Sequence, residues 1–446
     1  MTAGVQAVRT PDPREAYLAD HETFTAGGPD WVRVLRNEAI SHFAEHGFPS
    51  PRREDWRFTG IQPLIEAAFP LVSGSARLST SHVSRLALGV ASWPRLVVVD
   101  GRYVPSLSSL AGLPGSVRAG SLAEAIERDD PAVRAHVGRH ARYDANPFTA
   151  LAAAFLHDGV YLVASAGAVV SEPVEILFVS TRGERPALSH SRALIVTERG
   201  ARVSVLETHV AADGGRYLAN AVTELVVGEG ARVGYYRVQR DSIEAYHVAT
   251  THAVIARDAA LSACAVALGA SLARHDLVTV LDGPGADATL NGLYLLGGRQ
   301  VVDHHMLVEH ARPHCTSHEL FNGVLDGHAR SVFTGRIHVH PGAQRTDAKQ
   351  VNNNLLLSRD ARADSQPQLE IYADDVKCTH GSTLGPVDDV SLFYLQSRGL
   401  DRAAARNLLT YGFAADIITR VPDALVRGVL DGLITSRLQQ EAARAG

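Results

Sequence analysis

The sequence is short of the features that usually announce a chemistry. Its three cysteines, Cys264, Cys315 and Cys378, lie far apart in 446 residues, and none belongs to a Cys-x-x-Cys pair. Such spacing argues against a disulfide framework and suits a reducing compartment. There is no Gly-x-x-x-x-Gly-Lys-Ser/Thr loop and no Gly-x-Ser-x-Gly elbow, so nucleotide hydrolysis and serine-hydrolase chemistry lack their usual signals. The longest apolar runs, such as Tyr161 to Val170, are too short to span a membrane, and the first ten residues carry no apolar core of a secretion signal. A cytoplasmic protein is expected. Nor is there an excess of basic residues: the net charge is -5, with both signs mixed along the chain, which speaks against nucleic acid or an anionic membrane as partner.

What is present reads as an ordinary globular chain, 46% hydrophobic and 20% charged, long enough for two or three domains or for one solenoid. From Asp12 to about Phe69 the spacing is helical, with Trp31, Val34, Leu35, Ile40 and Phe43 on one face until Gly47 stops it. Pro49-Ser50-Pro51 is a turn, and Trp56, in the charged run after it, is read as an anchor to the core. Leu96 to Val104 predicts two strands joined at Asp100-Gly101. Helices are expected near Ser121 to Val137 and Pro147 to Leu156.

At His157 the pattern changes to short apolar runs punctuated by a turn residue and a small residue. Gly200-Ala201 is echoed at Gly230-Ala231, Asp258-Ala259, Gly285-Ala286, His328-Ala329 and Asp360-Ala361, at intervals of 30, 28, 27, 43 and 32 residues. A sandwich would turn every 8 to 12 residues without a longer repeat, whereas coils near 30 residues that must stack to close a core predict a solenoid of strands. The expected organisation is therefore mainly β: a helical and mixed region over 1–156, a β-helix over 157–387 and a helical region over 388–446. In the last region Asp388 or Asp389 caps Val390 to Ser397, Asp401 caps a helix through Ala414, and Pro422 opens one reaching Ala442. Its apolar residues, Tyr411 and Phe413 among them, exceed what three short helices hide from one another, so part of it docks on the solenoid end or on another protein. The two helical regions are expected to cap the ends of the solenoid.

One stretch concentrates chemistry. Leu369, Ile371 and Ala373 alternate with Gln368, Glu370 and Asp374, and the strand pattern resumes through Cys378 and His380, which then face the same way. A thiolate and an imidazole are two ligands for a soft or borderline metal, and a closed site needs four. Either other residues converge on them, a partner chain supplies the rest, or there is no metal site. Lys377 and His380 beside Cys378 would favour its thiolate. The other histidines are read more plainly. His304 and His305 point to opposite faces, so at most one joins His310 or Cys315, each satisfied by a turn carbonyl or water; His338 and His340 lie on a solvated surface; Cys264 is a small core residue.

The segments Ala343 to Gln350, Asn352 to Ser358, Pro367 to Ile371, Asp374 to Gly381 and Leu392 to Gly399 resemble the SufB/SufD family of iron-sulfur cluster assembly proteins. Glu54 to Thr59 and Val99 to Pro105 resemble the amino-terminal signatures of its SufD branch. The resemblance implies a right-handed parallel β-helix between helical ends, and a non-enzymatic subunit acting with a SufB-like scaffold and a SufC-like ATPase. It also implies that Cys378 and His380 match the family's Cys-x-His, tied to iron or a transient cluster shared with the partner, and that Arg398, Tyr411 and Phe413 lie in the ATPase-docking region, with no nucleotide bound by this chain. A homodimer is a further expectation. Two other readings stand beside it. A polysaccharide-active β-helix enzyme needs a secretion signal and a groove of paired carboxylates; a purely structural adaptor would bury Cys378 and His380 inside a coil.

Overall fold

The structure, a computed structural model, describes residues 12–50, 52–72, 74, 78–181 and 186–445, the last five without their side chains. It opens with helices α1 (Arg14–Thr23), α2 (Asp30–His46), α3 (Gln62–Ala67) and α4 (Thr80–Leu86). Then come β1 (Arg95–Val99), β2 (Arg102–Tyr103), β3 (Val117–Ser121), α5 (Leu122–Glu127), α6 (Pro131–His136) and α7 (Pro147–Ala154). From β4 (Val160–Ala164) and β5 (Val174–Ser180) onward, the chain alternates between two sheets. The even sheet continues with β6 (Leu188–Thr197), β8 (Leu218–Val227), β10 (Tyr246–Ile255), β12 (Leu272–Leu281), β14 (Val301–His310), β16 (Arg330–Val339) and β18 (Arg362–Ile371). The odd sheet continues with β7 (Arg202–Ala211), β9 (Arg232–Arg240), β11 (Ala260–Ala267), β13 (Asp287–Leu296), β15 (Thr316–Leu325), β17 (Asp347–Leu356) and β19 (Lys377–Pro386). Helices α8 (Asp389–Ser397), α9 (Arg402–Ile418) and α10 (Ala424–Ala445) close the chain.

Within each sheet the successive coils pair in parallel, so the expected β-solenoid is what forms. Inner positions alternate with outer ones along every strand, and the inner Val, Leu and Ala residues of both sheets meet in one long core. The periodic turn has a definite physical origin. Gly200, Gly230, Asp258, Gly285, His314 and Arg345 all have φ between 54° and 74°, at intervals of 30, 28, 27, 29 and 31 residues. That left-handed conformation turns each N–H along the solenoid axis, where it donates to a carbonyl of the next coil: Gly200 to Glu229, Gly230 to Arg257, Asp258 to Pro284, Gly285 to Pro313, His314 to Gln344 and Arg345 to Asp375. The residue after each one, Ala201, Ala231, Ala259, Ala286, Cys315 or Thr346, is at most 1% exposed, so only a small side chain fits.

This ladder corrects the repeat read from sequence. His328 and Asp360 sit in the opposite corner, between odd and even strands, and the interval of 43 residues is the jump from one corner to the other. The missing rungs are His314 and Arg345, which carry no glycine signal.

The helices also lie elsewhere than expected. α9 and α10 do not cap the solenoid end: Ile417, Ile418, Val426, Leu430 and Ile434 pack on the outer face of the odd sheet, against Leu206, Tyr236, Val238, Cys264 and Leu293. α9 runs past Ala414 to Ile418 because those last isoleucines are buried there. Asp388, not Asp389, caps α8, accepting from Ser391 N–H at 2.8 Å. The amino-terminal helices cover the outer face of the even sheet through Phe43, Trp56, Phe148 and Phe155. On α2 the buried stripe is Val32, Arg36, Ala39 and Phe43, while Val34 faces outward. Trp56 is the anchor expected of it, with the Arg274 guanidinium 3.8 Å from its ring centroid. β1 and β3 pair directly with β5 and β4, so the amino-terminal region supplies strands to both sheets, which finish on this side at the antiparallel strands β2 and β3.

Candidate functional site

The other end is open. β18 and β19 are the last strands of the even and odd sheets, and each has a neighbour on one side only. In β19 the register sets Cys378 beside Ala348 and His380 beside Gln350, and both of those β17 residues are fully buried. Cys378 and His380 therefore occupy inner-face positions, as their two-residue spacing predicted. With no further coil above them, Cys378 is half-buried and His380 is exposed. The Cys378 side chain rests against a small cluster of Ile337, Val339, Ala343, Ala348 and Ala373.

The expectation that flanking residues favour the thiolate is not met. Partial burial and the Asp347 carboxylate push the Cys378 thiol above its ordinary pKa. The sequence neighbours that were to help it, Lys377 and His380, are both exposed, while the acid that opposes it stands on the adjacent strand. Nearby carboxylates already have partners: Asp375 meets Arg345 at 3.7 Å, and Glu370 meets His338 at 2.8 Å and Arg336 at 3.7 Å. Among the described residues no group of three or more His, Cys, Asp or Glu side chains could hold a metal ion. A cavity of about 490 Å3 lined by Leu357, Pro386, Leu392, Arg402 and Arg406 lies at the far end of β19, away from the pair.

The other candidates separate cleanly. His304 and His305 take opposite faces. His304 lies inside among Tyr294 and Phe321, held to a pKa of about 3 by burial, while His305 sits outside, 3.6 Å from both Asp55 and Asp276. His310 is inside too, 2.8 Å from the Ser317 hydroxyl, so its partner is a side chain rather than a turn carbonyl. Cys315 fills the small-residue corner position, its Sγ donating to Gly283 O at 3.3 Å. Cys264 is buried under the carboxy-terminal helices, and burial pushes its thiol to about 12. The His338 and His340 rings meet edge to face, their centroids 4.6 Å apart, near the surface.

In the carboxy-terminal region Arg398 ends α8 with its guanidinium over the Tyr394 ring, 5.2 Å from its centroid. Tyr411 donates to Asp431 at 2.7 Å and Phe413 packs against the odd sheet, so both serve the chain's own helix packing. The most exposed apolar residues of this region lie on α8, where Val390 is 75% and Phe393 72% exposed. Sequence reading missed these. It also missed Glu319 and Gln350, which lie directly behind His380 in the lumen. Strand alternation from Ala348 was the signal that could have placed Gln350 inside.

Fold and site together define a class: a parallel β-solenoid with a thiol-imidazole pair on the inner face of its last coil. Residues 178–413 match the family model for the SUF system FeS cluster assembly SufBD core domain, and residues 14–176 match the SufBD protein N-terminal region. The chain belongs to the SufBD family of iron-sulfur cluster assembly proteins. It is 31% identical over 415 residues to the iron-sulfur cluster assembly protein SufD of Escherichia coli, covering 93% of this chain and 94% of that one. A SufBD family protein of Synechocystis is 30% identical over 434 residues, 95% of both chains, and SufD of Bacillus subtilis is 26% identical over 415 residues, 91% of this chain and 93% of that one.

Proposed function

We propose that this chain is a SufD-like scaffold subunit that gives Cys378 and His380 to a site completed by a SufB-like partner across the open end of the solenoid. One observation carries the reading: the two side chains share the inner face of a strand that has no neighbour on its outer side. The free main-chain edges of β18 and β19 are templates for pairing with another strand, and a sibling solenoid offers the matching edge. A second copy of this chain is the competing occupant. Iron or a nascent cluster is cargo here, held by ligands from two chains and released when they part. The chain itself does no chemistry on nucleotide. Its exposed α8 face, with Arg398 at its end and Tyr411 and Phe413 bracing the helices behind, docks a SufC-like ATPase.

Anaerobic reconstitution of the chain alone, and with SufB-like and SufC-like partners, followed by iron and sulfide analysis, tests this. Stoichiometric iron is expected only in the complex, with large losses for Cys378→Ser and His380→Ala. Unchanged assembly by His380→Ala, or stoichiometric iron on the chain alone, overturns the shared site.

A further inference from the structure

Two of the polar clusters that interrupt the apolar lumen differ in one respect. The inner one is complete at its carboxylate: Glu207 Oε2 accepts from Thr223 and Tyr235, and Oε1 meets His209 and Arg237. The outer one runs toward the open end along a single inner column of the odd sheet, where the register sets Glu319 beside Gln350 and Gln350 beside His380. Gln350 Nε2 donates to Glu319 Oε2 at 3.0 Å. Across the lumen the amide lies on Gly335, where a β-carbon would come within 2.3 Å of Nε2 and 2.6 Å of Oε1. Glycine at 335 is thus what makes room for the amide. Gln350 is fully buried, yet its Oε1 has no hydrogen-bond partner among the described residues. A buried acceptor left without a donor costs about 1–3 kcal/mol. The next side chain along the column is an imidazole.

We infer that Gln350 is a positioning residue for His380: Oε1 accepts a ring N–H of His380, which fixes the tautomer and leaves the other nitrogen's lone pair free for iron. The inference rests on the reading of His380 as a ligand. Glu319 turns the amide so that its oxygen faces the column end, and Gly335 holds it there by offering no side chain. A ligating histidine is commonly oriented in this way by an acceptor on its second nitrogen.

The test uses the full-length chain labelled with 15N in its imidazoles and bound to an unlabelled SufB-like partner, which orders His380, with His380 identified by the signal lost in His380→Ala. One neutral tautomer of His380 is expected in the natural chain and a mixture in Gln350→Met, which keeps length but removes the acceptor. Gln350→Glu, which retains an acceptor, restores the single tautomer, and Gly335→Ala, which displaces the amide without touching the site, copies Gln350→Met. In the complex with a SufB-like partner, Fe(II) affinity falls roughly 10- to 100-fold in Gln350→Met. An unchanged tautomer ratio in a folded Gln350→Met chain overturns the inference. If instead His380→Ala leaves Fe(II) binding intact, the shared-site reading itself fails, whatever the tautomer.

Discussion

Glu319 makes the stability of this chain depend on pH in a way that one substitution removes. Its carboxyl is fully buried on the inner face of β15, with a single hydrogen bond from Gln350 against the loss of all its water. Burial pushes its pKa from 4.5 to about 8, the Gln350 bond offsetting only part of that. Below pH 4.5 folded and unfolded chains both hold the proton, and the residue brings no penalty. Between 4.5 and about 8 the unfolded chain releases the proton while the folded one keeps it, so unfolding is favoured progressively as pH rises. Above 8 both are ionised and the penalty levels off. At 1.36 kcal/mol per pH unit the full span amounts to about 5 kcal/mol, comparable with the whole stability of many domains, about 5–15 kcal/mol. Glu319→Gln keeps the shape and the carbonyl that Gln350 uses, and has no proton to lose. Urea unfolding followed by circular dichroism, run on both chains from pH 4.5 to above 8, isolates the effect, because all other titrations cancel in the difference. The variant is expected to match the natural chain at the acid end and to exceed it by several kcal/mol at the alkaline end. A difference that stays flat with pH would refute the assignment of a buried neutral acid to position 319.

Two further outcomes follow from packing and exposure. Arg274, 2% exposed, pairs with Asp276 and Asp303 at 2.6 Å each and donates to Asp55 O at 2.8 Å, so it ties the 54–59 segment to the even sheet. Arg274→Met removes the guanidinium shared by two largely buried carboxylates and is expected to destabilise by about 3–5 kcal/mol; proteolysis should then cut first near Trp56, and cleavage elsewhere would show that the tie is not the weak point. On α8, Phe393→Asp is expected to weaken binding of a SufC-like ATPase at least about tenfold, or about 1.4 kcal/mol, by calorimetry with the thermal midpoint unchanged; equal affinity would move the docking surface off this helix.

The solenoid was legible because its repeat is written in backbone chemistry. A residue at positive φ every 30 or so residues, followed by a small one, is visible as long as glycine fills the first position. It fades where His314 and Arg345 adopt the same φ, since nothing in their side chains advertises it. Hence the sequence reading drifted to the glycine-bearing opposite corner at His328. The pairing of Cys378 with His380 on one face followed from strand periodicity alone. What could not be read was whatever depends on contacts between coils: the Asp347 carboxylate acting on Cys378, the Glu319–Gln350 column, and the docking of α9 and α10 on a sheet face rather than an end. Coil-to-coil register joins residues about 30 apart, and a local pattern is blind to it.

The terminal coil is unfinished in four independent respects, and they point the same way. The corner ladder stops at Arg345 donating to Asp375 O at 2.6 Å. Both sheets end here in parallel strands of 10 residues with one free edge, whereas at the opposite end they finish on the short antiparallel strands β2 and β3, of 2 and 5 residues. The lumen column ends on the unpartnered oxygen of Gln350. Cys378 is held as a thiol by burial and by Asp347, so it is a poor ligand until something nearby carries positive charge. An isolated solenoid gains nothing from any of these. A metal or a partner's cation reverses the field at Cys378, an added strand fills the edge, and an ordered His380 supplies the donor that Gln350 lacks. On the proposed function all of them are resolved by one event, the closing of a second chain over the end. On that proposal the free chain is expected to bind metal weakly and the assembled one tightly.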